Sequence, residues 1–182
     1  MQHDMPMKPY GPTAGRDHLD SRPRPKTTTV EFHIHMRITA ADDLIGDRLP
    51  DDSNVQLRFA DEASRKQSIK HHQERMPYLT DIAERLPDMS DMQVDVAAVS
   101  CAPKQFFYST EPSLGHESSQ VVNDGIANNI KDHKDTHIGL GTVPLQDTDL
   151  AIKEMKRCIN ELGFKGLQIG ARVSEEEELD TT

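Results

Sequence analysis

From Thr27 to Ile38 apolar and polar positions alternate: Val30, Phe32, Ile34, Met36 and Ile38 share one parity, Glu31, His33, His35 and Arg37 the other. A period of two in a run rich in β-branched residues predicts a strand with one apolar and one polar face. Farther on, Tyr78, Leu79, Ile82, Ala83 and Leu86 recur at helical spacing until Pro87, which breaks or kinks the run. Val94 to Ser100 is nearly continuously apolar, the mark of a strand buried on both faces of a parallel sheet. Leu114, Val121, Val122, Ile126 and Ile130 form the buried stripe of a helix over 113–133. A third strand is predicted over 137–145. The next helix is capped by Asp147 or Thr148, shows Leu150, Ala151, Met155, Cys158, Ile159 and Leu162 on its apolar face, and ends at Gly163 in a left-handed cap. Residues 164–169 read as a fourth strand. Strand and helix alternate, so the fold class is α/β with parallel strands joined by crossover helices.

The remaining stretches lack such periods. Residues 1–26 mix prolines, glycines and charges and read as a disordered N-terminal arm. Residues 39–60 are acidic, carry Gly46 and Pro50, and read as a long loop; the alternating acids and glycine of a calcium-binding EF-hand loop are missing. Residues 61–76 favour helix without an apolar face. Residues 174–182 form an acidic polar tail, which leaves 27–173 as the folded unit.

Composition narrows the partners. The chain has 182 residues and a net charge of -10, which argues against a nucleic-acid backbone or an anionic membrane surface. Only two cysteines occur, Cys101 and Cys158, so no disulfide framework is expected. With no apolar leader and no long apolar run, a cytoplasmic location is expected.

Candidate chemistry starts at His33 and His35. Two strand rises of about 3.3 Å set their Cα atoms roughly 6.6 Å apart on one face. Both imidazoles can then reach one ion at nitrogen–zinc distances of about 2.0–2.1 Å. The same pattern also suits a solvated strand face with two ordinary histidines. His71 and His72 are adjacent on a helix and do not converge on one ion. Gly139-Leu140-Gly141 lies inside a strand without a third glycine, so it is not a dinucleotide fingerprint, and no Gly-Lys-Ser/Thr phosphate loop is present.

Three blocks carry a resemblance: Leu140-Gly141-Thr142-Val143-Pro144-Leu145-Gln146, then Ala151 to Cys158, then Glu161-Leu162-Gly163-Phe164-Lys165-Gly166-Leu167-Gln168-Ile169-Gly170. With Asn123-Asp124-Gly125-Ile126-Ala127, Phe107-Tyr108 and Val94-Asp95-Val96, they resemble the aminocarboxymuconate-semialdehyde decarboxylase group of the amidohydrolase superfamily. The likeness is strong from about Arg85 to Val173 and weak from Thr39 to Glu84.

The resemblance implies a partial TIM-type (β/α)8 barrel comprising about the first four strands. It implies a metal-dependent carboxy-lyase, a decarboxylase of an unsaturated or aromatic small-molecule carboxylate. His33 and His35 occupy the group's His-x-His pattern and would ligate a divalent metal ion, zinc being expected. Phe106, Phe107 and Tyr108, in the loop after a barrel strand, become substrate-pocket candidates, or else a hydrophobic plug closing the barrel end. The further metal ligands and the catalytic histidine of the group have no counterparts here, so no catalytic residue is assigned. Glu31 stands where the group usually has Asp, and Pro87 falls where it runs a continuous helix. A complete barrel of this type needs about 250 residues, so the chain is expected to be a fragment. Its inner sheet face would then meet water, and a homo-oligomer is a candidate assembly. The alternatives are a metal-dependent hydrolase of the same superfamily and a catalytically inactive half-barrel.

Overall fold

A computed structural model describes residue 23 and residues 26–49, 60–171 and 173. The predicted arm over 1–26 falls outside the described residues except for 23 and 26. The tail over 174–182 and residues 50–59 of the predicted loop also lie outside them. Four strands, β1 (Val30–Met36), β2 (Val96–Cys101), β3 (His137–Gly141) and β4 (Gly166–Leu167), form one sheet in the order β1-β2-β3-β4, and each pair is parallel. The helices are α1 (Thr39–Ile45), α2 (Glu62–Thr80), α3 (Leu86–Asp91), α4 (Pro112–Ile130) and α5 (Thr148–Asn160). Helices thus separate successive strands, as the alternation predicts, and the four parallel strands form part of a barrel. Among the described residues no helix is long and apolar enough to cross a membrane.

The core lies between the sheet and the helices. Met36, Val99, Cys101, Ile126, Cys158 and Phe164 are buried there together. Close helix–sheet approach depends on missing side chains. A Cβ on Gly139 would sit 2.3 Å from Cδ1 of Phe164, and one on Gly125 would sit 2.6 Å from Cγ2 of Ile38.

Four sequence expectations need correction. Thr39 to Ile45 is helix rather than loop. Ala41 and Ile45, one turn apart, are buried, and Asp42 sits in the first turn, where the helix dipole favours an acid. The apolar parity of β1 does not hold along its whole length. Glu31 pairs with Ala97 but Ile34 pairs with Val99, so three residues of β1 oppose two of β2. This extra residue is a β-bulge, and it reverses the facing of residues on its two sides. Ile34, Met36 and Ile38 pack inward, whereas Phe32 is 66% exposed.

The third and fourth strands are shorter than predicted. β3 stops at Gly141 because the Asn123 side chain takes over the next residue, accepting from the Thr142 N–H and donating to its carbonyl, both at 2.8 Å. Ladder bonds flank the two-residue β4, from Lys165 N–H to the Gly139 carbonyl at 3.0 Å and from Gln168 N–H to the Gly141 carbonyl at 2.8 Å. Finally, the inner face is less wet than expected of a half-barrel. Ala98 and Ser100, on the His35 side of β2, are buried, Ala98 opposite Ile138 and Ser100 opposite His35 in register.

His137 opens β3 in a buried position. Its Nδ1 lies 2.9 Å from the Thr136 hydroxyl, and its Nε2 is enclosed with no partner among the described residues. Burial, then the charges of His133 and Arg85, push its pKa down to about 4. An unfolded histidine titrates near pH 6.5. Between those values the unfolded chain takes up a proton that the folded chain refuses. Stability present above pH 6.5 is therefore lost as pH falls toward 4, by up to roughly 3 kcal/mol. A His137→Phe variant is expected to show a smaller drop in urea midpoint than the parent when pH falls from about 7 to about 5. Equal drops would remove His137 as the cause.

Candidate functional site

The two histidines sit on β1, and their neighbours come from the ends of β1 and β2. The His33 and His35 rings lie 4.9 Å apart between centroids, inclined at 75°. Two imidazoles on one tetrahedral ion, each nitrogen about 2.0–2.1 Å from it, have centroids roughly 5 Å apart. His35 stands opposite Ser100 in register. Its Nδ1 is 3.0 Å from the Cys101 carbonyl and 3.1 Å from the Ser100 hydroxyl, and that hydroxyl donates to the Ile34 carbonyl at 3.2 Å. The carbonyl can only accept, so Nδ1 carries the proton and Nε2 keeps its lone pair. A second-sphere carbonyl of this kind fixes a metal-ligating histidine. Desolvation lowers the His35 pKa, the Cys101 hydrogen bond opposes this, and the His33 and Arg85 charges add to the lowering. The ring is therefore neutral at pH 7, the form that binds a metal. His33 is exposed, and its N–H donates to the Glu31 carboxylate at 2.6 Å.

Four side chains hold this region from behind. The buried Arg85 guanidinium donates to the carbonyls of His35 and Tyr78, tying the end of α2 to β1 beneath the histidine. Desolvation lowers its pKa to about 10, so it stays charged. The Gln105 amide clamps Ile38, accepting from its N–H at 2.9 Å and donating to its carbonyl at 2.8 Å, and it also reaches Asp42 at 3.1 Å. Asp42 pairs with Arg37 at 2.6 Å. None of these roles is readable from spacing. The one hint is that Arg85 lies between Ile82 and Leu86 within an apolar helical run.

The loop after β2 carries Phe106, Phe107 and Tyr108. Phe107 is buried in the core with φ at +50°. That left-handed conformation sends its neighbours the other way. Phe106 and Tyr108 stack with centroids 5.3 Å apart and are half-buried. The Tyr108 hydroxyl accepts from the Gly170 N–H at 3.2 Å, which links this loop to the segment after β4. Desolvation raises the Tyr108 pKa to about 12, so the phenol stays protonated at neutral pH.

Among the described residues no group of three or more histidine, cysteine or carboxylate side chains could hold a metal ion. His71 and His72 are drawn apart, His71 to Gln67 at 2.6 Å and His72 to the Arg37 guanidinium. Burial pushes both Cys101 and Cys158 up to about 12, far from a reactive thiolate.

Residues 30–181 match a family model described as amidohydrolase. A 2-amino-3-carboxymuconate-6-semialdehyde decarboxylase of Dictyostelium discoideum is 37% identical over 90 residues, covering 50% of this chain and 25% of that protein. A gamma-resorcylate decarboxylase of Rhodococcus jostii is 28% identical over 94 residues, covering 52% of this chain and 28% of that protein. Among solved structures, a 5-carboxyvanillate decarboxylase of Sphingomonas paucimobilis superposes with a TM-score of 0.64 at 22% identity, over 80% of this chain and 43% of that one. A dihydroxybenzoic acid decarboxylase of Polaromonas, solved with manganese and 2-nitroresorcinol, superposes at 0.61 with 20% identity, over 80% and 39%. The matched region therefore spans roughly a quarter of these curated relatives and two-fifths of these solved structures.

Proposed function

The chain belongs to the amidohydrolase family, and from that premise we propose that it carries the opening part of the divalent-metal site of a carboxy-lyase acting on an unsaturated or aromatic carboxylate. The observation that carries the reading is the His33–His35 pair, with ring centroids 4.9 Å apart and His35 Nδ1 held by the Cys101 carbonyl. His33 and His35 would hold the ion. When bound, the ion supplies Lewis acidity to an oxygen of the substrate. Imidazole ligands suit zinc; the Polaromonas relative holds manganese, so the choice of metal is itself part of the test. Cys101 and Arg85 keep His35 oriented, and the Phe106–Tyr108 stack walls the space between the loop after β2 and Gly170.

The same site favours a second reading for this chain by itself. Catalytic zinc is held by three protein ligands, and no third donor joins the two histidines among the described residues. We therefore expect weak metal binding and no decarboxylation. The test is metal content by mass spectrometry after dialysis against zinc or manganese, for the parent, His33→Ala and His35→Ala. Each substitution is expected to weaken binding by about tenfold or more. Equal metal content in all three would refute the ligand assignment. Turnover of an aminocarboxymuconate-type acid by the parent would refute the need for further donors.

A further inference from the structure

Just past β4 stands an acceptor that the described residues leave without a donor. Gln168 Oε1 is enclosed and meets no hydrogen-bond partner among them. Most buried polar side-chain atoms are hydrogen-bonded, because an enclosed acceptor without a donor costs stability. The backbone that carries this amide is held in place. The Gln168 N–H donates to the Gly141 carbonyl at 2.8 Å, which extends the ladder beyond β4. Two residues on, the Gly170 N–H donates to the Tyr108 hydroxyl at 3.2 Å, which ties the same segment to the loop after β2.

Register decides which way Gln168 faces. Leu167 turns toward the helices: a Cβ on Gly141 would lie 2.6 Å from Sγ of Cys158 and 3.1 Å from Cδ2 of Leu167. Side chains alternate across an extended chain, so Gln168 faces the inner side of the sheet. The ladder links that side from edge to edge. His35 stands opposite Ser100, Ala98 opposite Ile138, and Leu140 opposite Gly166. Gly166 and Gln168 therefore share the face of Leu140, Ser100 and His35, with Gln168 toward the end where the strands finish. β1 and β4 are three strand spacings apart, about 14 Å along the sheet. In a barrel the sheet curves around that face, so the histidines and the amide look into one space.

We propose that Gln168 is a specificity-determining residue, whose amide oxygen accepts a hydrogen bond from a hydroxyl or amino group of the acid held at His33 and His35. The inference rests on the reading given under Proposed function and adds to it what the far end of the ligand must carry. An amide oxygen only accepts, so it selects a molecule with an O–H or N–H at that end and disfavours one without. A planar ring with its carboxylate at the histidines and a hydroxyl on the far side has the required shape.

Titration calorimetry of the full chain in the presence of zinc, with benzoate, 3-hydroxybenzoate and 4-hydroxybenzoate, tests the assignment. The parent is expected to bind one of the hydroxylated acids about tenfold more tightly than benzoate. Gln168→Met keeps the length of the side chain without the acceptor and should bring that acid and benzoate to equal affinity. Gln168→Glu keeps an acceptor oxygen, so it should weaken both acids by charge repulsion and preserve their ratio. Replacing an unpaired buried acceptor with an apolar group of similar shape is neutral or stabilising, so the urea midpoint of Gln168→Met should equal or exceed that of the parent. His35→Ala should weaken all three acids alike, while Gln168→Met should leave metal content at the parent's level, so failure of the metal site and failure of this acceptor read out separately. A parent that binds none of the acids, or that binds all three equally, would overturn the proposal. So would a hydroxyl preference that survives in Gln168→Met, or a fall in its urea midpoint, which would mark Gln168 as a structural residue.

Discussion

Replacing Glu154 with alanine is expected to destabilise the fold by about 3–5 kcal/mol, the range for breaking a buried ion pair from one side. Glu154 is fully buried on α5. One carboxylate oxygen accepts from Asn123 at 2.7 Å and from Arg157 at 2.8 Å, and the other accepts from Arg157 Nε at 2.9 Å. Arg157 also reaches Asp124 on α4 at 2.6 Å, and these carboxylates raise its pKa well above the usual arginine range. Alanine would remove one acceptor of the Asn123 amide and two of the guanidinium bonds, leaving their contacts to Thr142 and Asp124. The loss is large against the 5–15 kcal/mol that typically stabilises a domain. Glu154→Gln keeps one acceptor and should fall between the two. Because Asn123 also holds both backbone groups of Thr142, the damage should reach the end of β3. Urea unfolding gives the measurement, and coincident midpoints for Glu154→Ala and the parent would show that the network has no energetic weight.

That network marks where the sequence stops being readable. Periodicity places α4 and α5 because each buries a regular stripe, β2 because it is buried on both faces, and β1 through its alternation even though the bulge breaks the buried face. It fails where structure is set by single polar contacts. The Asn123 amide replaces ladder bonds after Gly141, so β3 ends before its apolar run does. The bulge in β1 is one inserted residue within an unbroken alternating pattern, and only the pairing with β2 exposes it. α1 is hidden by Asp42 and Asp43, which suit a loop as well as a helix start. At the candidate site the alternation singles out His33 and His35, and although the bulge falls at His33 their rings still meet, with centroids 4.9 Å apart. Arg85, Gln105 and the Cys101 carbonyl are not legible, because their contacts join residues 50 to 67 positions apart.

Self-association is the second large effect expected. β1 and β4 are the outer strands of the sheet among the described residues, and an outer strand presents unpaired backbone donors and acceptors. β1 also exposes apolar side chains: Phe32 is 66% and Val30 40% accessible. Burying one phenylalanine contributes about 2 kcal/mol, so two copies meeting there gain about 4 kcal/mol, roughly a thousandfold in dissociation constant. The chain is therefore expected to elute as a dimer or larger species, its size rising with concentration. Phe32→Lys should shift it toward monomer, because a charge on an outer strand opposes strand addition. The comparison also separates two roles of β1. Phe32 precedes the histidines, and His35 is held by Ser100 and Cys101 on the paired side of the strand. Metal content should therefore survive Phe32→Lys while the assembly does not. A parent chain that elutes as a monomer at every concentration would mean that residues outside the described set already cover this edge.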